Sequence, residues 1–301
     1  MARATIGSAV GTFARQAIKV STRGVGMLTA DLRPPPDFLI IGAKRGGTTS
    51  FYFDLLDHPG VVALYPPPVP VLKPVPTKGV HYFDSNATRS ARWYVSFMPT
   101  SATRRRRERS TGGPVVAGDA SPYYLHHPAA ASRAHALVPN AKLIALLRNP
   151  IDRTYSHWKE RRRSNAEPLD FEAALDAEPE RLKGERQRLL AETSYVSYAY
   201  EQQSYASQSV YVDGLRAWLE QFGRDRLLVV ASEDYYRYPN TVLTKVHSFL
   251  GLTPLATSKG RVLNEARGSD LDPETRSALA ARFAEPNAEL ERLLGQSFPW
   301  D

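Results

Sequence analysis

The chain has 301 residues, 42% of them hydrophobic and 23% charged, enough to bury a full globular core. It carries 39 Lys and Arg against 31 Asp and Glu, a formal charge of +8, which calls for an anionic partner without choosing among nucleotide, sulfated or phosphorylated substrate, nucleic acid and lipid headgroup. Zero cysteines exclude disulfides, thiolate metal sites and cysteine nucleophiles, and no run approaches 18 apolar residues, so the expectation is a soluble, cytoplasmic protein without a membrane span.

In chain order, residues 1–36 carry five basic residues and one acid around a broken apolar stretch. They read as an extra amphipathic helix or loose arm preceding a main domain over 37–301, with a transit peptide or membrane-surface helix as the minor alternative. "DFLIIG" (37–42) predicts a buried strand and "TTSFYFDLL" (48–56) the helix after it. "PPPVPVLKPVP" (66–76) is a rigid, polyproline-like insertion at the rim. "GVHYFD" (79–84) and "VVAGD" (115–119) predict short strands, and "RRRRER" (104–109) between them a solvated loop that could line a groove for an acidic polymer. "ASRAHALVP" (131–139) predicts a helix and "AKLIALLR" (141–148) a strand. That strand runs into "NPIDRTYSHWKERRR", a helix with proline in its first turn and with "ERRR" (160–163) on its exposed side. "SVYVDGLRAWLEQFG" gathers Tyr211, Leu215, Trp218, Leu219 and Phe222 on one helical face; "RLLVVASED" is another strand, and "DPETRSALAARFAEPNAELERLLG" a late helix interrupted around Pro286. Strands alternating with helices predict one parallel α/β sheet flanked by helices.

Two clusters carry chemistry. In "IIGAKRGGTTS" a strand ends at Gly42, and Gly46 and Gly47 lead into Thr48, Thr49 and Ser50 at a helix N-terminus, where backbone N–H groups and the helix dipole favour a phosphate. A triphosphate loop places lysine directly after its last glycine; here Thr48 stands there, and the cations Lys44 and Arg45 lie upstream, alongside an anhydride whose leaving oxygen gains charge. In "LLRNPIDRTYSHW", Arg148 ends a strand and Ser156 sits two turns into the next helix, a pair suited to an isolated second phosphate. Either cluster alone is equally what a tight strand–helix turn with solvated cations would give.

Together the clusters resemble those of the nucleotide-dependent sulfotransferases: "IIGAKRGGTTS" resembles their 5′-phosphosulfate loop and "LLRNPIDRTYSHW" their 3′-phosphate motif. "VHYFD", "SPYYL" and the stretch from Asp272 to Trp300 are similar to blocks of heparan sulfate 3-O-sulfotransferases and their N-sulfotransferase relatives. The resemblance implies a fold like that of the P-loop nucleotide kinases. It also implies transfer of a sulfuryl group from 3′-phosphoadenosine 5′-phosphosulfate, without a metal, to a hydroxyl or amine on a carbohydrate, lipid or natural product. By the same resemblance Gly46, Gly47, Thr48, Thr49 and Ser50 cradle the 5′-phosphate, Arg148 and Ser156 hold the 3′-phosphate, and Lys259, Gly260 and Arg261 match a further cofactor loop. Arg45 takes the place of the family's loop lysine, with Lys44 beside it. Gly79 stands where the heparan enzymes carry their glutamate base, leaving His81 and Asp84 as candidates, and Ala120 stands where many relatives have a lysine. A degenerate member that binds nucleotide without turnover and a small-molecule kinase are the alternatives. Acceptor choice is assigned to segments 66–78 and 99–113, and nucleic acid is not expected as a partner.

Overall fold

The run Phe38–Gly42 is buried at every position and forms β1, one of the two inner strands of a parallel sheet in a computed structural model of the chain, which describes residues 22–66, 78–256 and 271–300. The other strands are β2 (Gly118–Ala120), β3 (Lys142–Leu147) and β4 (Leu227–Ala231), in the order β2-β1-β3-β4. Phe38 pairs with Gly118 on one side and Lys142 on the other. Because both faces are covered, β1, β4 and all but the first residue of β3 are apolar, and alternate residues enter two separate cores. Phe38, Ile40, Ile144 and Leu146 pack with Phe51, Leu243 and Val246, whereas Leu39, Ile41, Leu143 and Leu147 pack with Tyr124, Leu215 and Trp218.

Helix α1 (residues 22–28) precedes β1, and α2 (Thr48–Leu56), α3 (Ala91–Val95) and α4 (Ser101–Thr111) lie between β1 and β2. Helix α5 (Ala130–Leu137) joins β2 to β3. Between β3 and β4 come α6 (Pro150–Arg163), α7 (Phe171–Arg181), α8 (Glu185–Ala191) and α9 (Tyr211–Phe222); α10 (Ser232–Arg237), α11 (Pro239–Leu250) and α12 (Pro273–Leu294) follow β4. From β1 the chain goes to β2 on one side, then through α5 to β3 on the other. The carboxyl ends of β1 and β3 therefore open onto a crevice at the point where the strand order reverses, the usual place for a ligand in such sheets. Among the described residues no helix is long and apolar enough to cross a membrane.

Four expectations fail for identifiable reasons. "GVHYFD" is no strand: residues 82–88 form turns, His81 has φ +52°, and its amides go to side chains. Val80 N–H donates to Asp119 Oδ1 (2.9 Å), His81 N–H to Ser121 Oγ (2.9 Å) and Tyr82 N–H to the Tyr124 hydroxyl (2.8 Å), so three successive donors are withheld from a ladder. "VVAGD" supplies only the start of β2, with Val116 in an isolated bridge to Val61. "RRRRER" is helical, capped by the Thr100 hydroxyl and ended by Gly112 at φ +69°. Arg104 within it is buried on Asp37 and Pro35, at the amino end of β1 and hence at the opposite end of the sheet from the crevice. The segment 99–113 is thus no acceptor loop. Pro286 does not interrupt α12, which runs continuously because Phe283 and Leu290 on either side are both buried. Most of the proline-rich insertion and the Lys259–Arg261 loop lie outside the described residues.

Residues ahead of β1 are tied to the rest. The Arg23 guanidinium lies 3.7 Å from the Phe97 ring centroid and donates to Ser96 Oγ at 3.1 Å.

Pro286 supplies a stability test. Pro286→Ala restores an N–H to the helix ladder without touching its buried face, so unfolding in urea should show a gain of about 1–3 kcal/mol. An unchanged midpoint would mean that α12 is built around the ring.

Candidate active site

The glycine loop closes tightly over β3. Ala43 N–H donates to Leu146 O at 2.7 Å, and Ser232 Oγ, from α10, donates to Gly46 O at 2.6 Å. A Cβ on Gly46 would stand 2.6 Å from Leu146 O, and Gly47, at φ +84°, is the left-handed residue before α2. A side chain at residue 46 would collide with that carbonyl, and one at residue 47, besides the left-handed backbone that favours glycine, would stand 2.5 Å from the Tyr236 hydroxyl. The N-terminus of α2 consequently points into a cavity of about 740 Å³ at the carboxyl ends of β1 and β3.

Arg148 and Ser156 face the same cavity, so the two sequence clusters converge as expected. The upstream cations are already engaged, in different directions. Arg45, left-handed at φ +71°, donates from Nε to Ser156 Oγ at 3.2 Å. Lys44 Nζ donates to Gln202 Oε1 (2.7 Å) and Glu201 O (3.2 Å), with the Glu201 carboxylate at 3.6 Å. Burial lowers the Lys44 pKa to about 8, with Glu201 opposing and Arg161 and Arg153 assisting. Glu160 and Arg161, expected on the exposed side of α6, line the cavity instead and pair with each other at 2.6 Å.

Several functional residues escaped the sequence reading. Lys78 reaches across the cavity wall to donate to Thr48 Oγ1 and Thr49 Oγ1, both at 3.0 Å. Tyr236 lies over the loop, its hydroxyl where a Gly47 side chain would be. Glu233 accepts from Asn149 N–H (2.8 Å) and from Trp300 Nε1 (3.1 Å), and the Tyr211 hydroxyl donates to Arg148 O at 2.8 Å. The backbone that carries Arg148 is thereby fixed from α9, from α10 and from the segment after α12. Lys78 was visible only as the residue before Gly79, and none of these contacts spans fewer than 29 residues in sequence.

His81 and Asp84 come together beside the cavity, outside its wall, with Nδ1 2.9 Å from Asp84 Oδ2. Burial disfavours the imidazolium, but the hydrogen bond and charge of Asp84, helped by Asp119 and Glu201, outweigh it and raise the His81 pKa. Asp119 is wholly buried and its two oxygens accept from Val80 N–H, Ser121 Oγ, Tyr94 OH and Tyr124 OH. It holds the 80–81 backbone in place and is not itself open to a substrate. Gly79 leaves no gap: a Cβ there would lie 2.5 Å from Ala120 O and 2.8 Å from Ser121 Oγ.

Comparison with known proteins matches a family described as the sulfotransferase domain to residues 35–269. Bifunctional heparan sulfate N-deacetylase/N-sulfotransferase 4 of Mus musculus is 28% identical over 298 aligned positions, covering 88% of this chain and 31% of its own length. The corresponding enzyme 3 of Homo sapiens is 27% identical, with the same 88% and 31% coverage. The chain thus spans about a third of the length of these curated relatives. Among solved structures, a sulfotransferase from Alicyclobacillus acidocaldarius superimposes with a TM-score of 0.64 at 26% identity, over 88% of this chain and 98% of that one.

The His81–Asp84 contact has a direct readout. Because the folded pKa is raised, the pair stabilises the protein fully below the unfolded value of about 6.5, and the contribution is lost as pH rises through the folded value. NMR titration should place His81 above about 6.5, and Asp84→Asn should bring it down; an unchanged titration would separate the two side chains.

Proposed function

The chain belongs to the sulfotransferase-domain family, and on that premise we propose that it transfers a sulfuryl group from 3′-phosphoadenosine 5′-phosphosulfate to a hydroxyl or amine, with a carbohydrate or glycoconjugate as acceptor. A lipid or natural product is the second choice of acceptor. The observation that carries this reading is the convergence of the glycine loop and the Arg148–Ser156 pair on one cavity. A 5′-phosphate over the α2 N-terminus and a 3′-phosphate on Arg148 and Ser156 would use both. The kinase alternative is weaker, because Thr48 occupies the place of its lysine.

In the proposed step the acceptor oxygen attacks sulfur in line, the bond from sulfur to the bridging oxygen breaks, and adenosine 3′,5′-bisphosphate leaves. Arg45 and Lys44 neutralise the charge arriving on the bridge, and His81 takes the acceptor proton. Asp84 holds Nδ1, so the neutral imidazole offers Nε2 as base. Since the His81 pKa is raised, transfer to a hydroxyl should speed up as pH climbs through that value. We also propose the cytoplasm as its place of work, on the cysteine-free composition alone.

Calorimetry tests the nucleotide assignment. Adenosine 3′,5′-bisphosphate should bind more tightly than 5′-AMP, and Arg148→Ala should erase the difference, a loss of about 10- to 100-fold. Tighter binding of Mg²⁺-ATP than of the bisphosphate would overturn the assignment.

A further inference from the structure

We propose that Lys78 is a catalytic residue whose ammonium binds the oxygens of the sulfuryl group in flight, a role that rests on the sulfotransferase reading above. The argument begins with the sheet. The nucleotide site straddles β1, with Arg148 on the β3 side; Lys78 stands on the β2 side, where its carbonyl accepts from Ala120 N–H at 3.0 Å. A donor with its 3′-phosphate on Arg148 and its 5′-phosphate over the β1 loop must direct its terminal group towards β2 and Lys78.

The three nearby cations divide the space between them. Arg45 is turned to Ser156, on the 3′-phosphate side, and Lys44 to Glu201 and Gln202. Lys78 alone among them rests on Thr48 and Thr49, the hydroxyls at the head of α2. Among the described residues no carboxylate pairs with it, and its two partners are neutral hydroxyls at the positive end of a helix. A half-buried ammonium so placed lacks an anion. Burial lowers its pKa to about 8, with only Asp119 opposing, which is the behaviour of a cation awaiting a counter-charge.

The chemistry needs no proton from Lys78. Sulfur exchanges its bond to the bridging oxygen for one to the acceptor oxygen, the acceptor proton goes to His81, and Lys78 remains an ammonium throughout. Its contribution is to hold the equatorial oxygens as both axial bonds lengthen.

Lys78→Met and Lys78→Arg decide the matter. Transfer of labelled sulfuryl to a pooled saccharide extract, and to water, is measured beside calorimetric binding of adenosine 3′,5′-bisphosphate, which lacks the sulfuryl group. Lys78→Met is expected to lower turnover about 10²- to 10³-fold while bisphosphate affinity stays within about threefold, and Lys78→Arg to recover part of the rate. Full turnover in Lys78→Met would overturn the proposal. So would an equal loss of bisphosphate affinity in a variant whose thermal unfolding matches wild type, because Lys78 would then be a ligand of the 5′-phosphate. Failure of the wild-type protein to prefer the bisphosphate over 5′-AMP would defeat the sulfotransferase reading itself, a separate result.

Discussion

The close approach of Gly46 to β3 is the constraint on which the site depends. With no side chain at residue 46, the loop can rest on the Leu146 carbonyl while Ser232 clasps it from α10. That contact fixes where α2 begins and which way its N-terminus points. It also brings β1, β3 and the residues after β4 into one fixed relation, so that Arg148, Tyr236 and Glu233 surround the loop. Any side chain at residue 46 would prise the loop from β3 and spread these groups apart.

Around that loop the protein has gathered more buried positive charge than its own acids neutralise. Lys44 has Glu201, but Lys78 has only hydroxyls. Beneath them Arg153 is completely buried, held by Ser209 Oγ at 2.8 Å and by His157 Nδ1 at 3.1 Å, with its Nη1 unpaired and its pKa pushed by burial to about 10. Desolvated cations of this kind destabilise an empty site and reward an anion that enters it. Under the proposed function, part of the affinity for a polyanionic donor would be relief of a strain that folding imposes on the free protein.

The parts of this structure that could be read in advance are those whose causes are local. Apolar runs ending at Gly42 and Arg148 announced β1 and β3, and glycines followed by hydroxyls announced the head of α2. The segment 79–84 looked like a strand because its composition is β-like, yet its amides are claimed by Asp119, Ser121 and Tyr124, some forty residues away. The arginine run looked like a loop because its polarity hid a good helix former with a cap at each end. Lys78 and Trp300 went unnoticed for the same reason: each matters through a partner that chain order separates from it, and neither belongs to a spacing pattern.

The packing around Gly79 also limits what can replace it. The backbone at 79 is packed against Ala120 and Ser121 so closely that even a methyl group would collide. A carboxylate cannot be placed at this position without moving the end of β2 and the Asp119 network fastened to it. A stronger base is more readily gained by changing a residue already facing the cavity than by building one at residue 79.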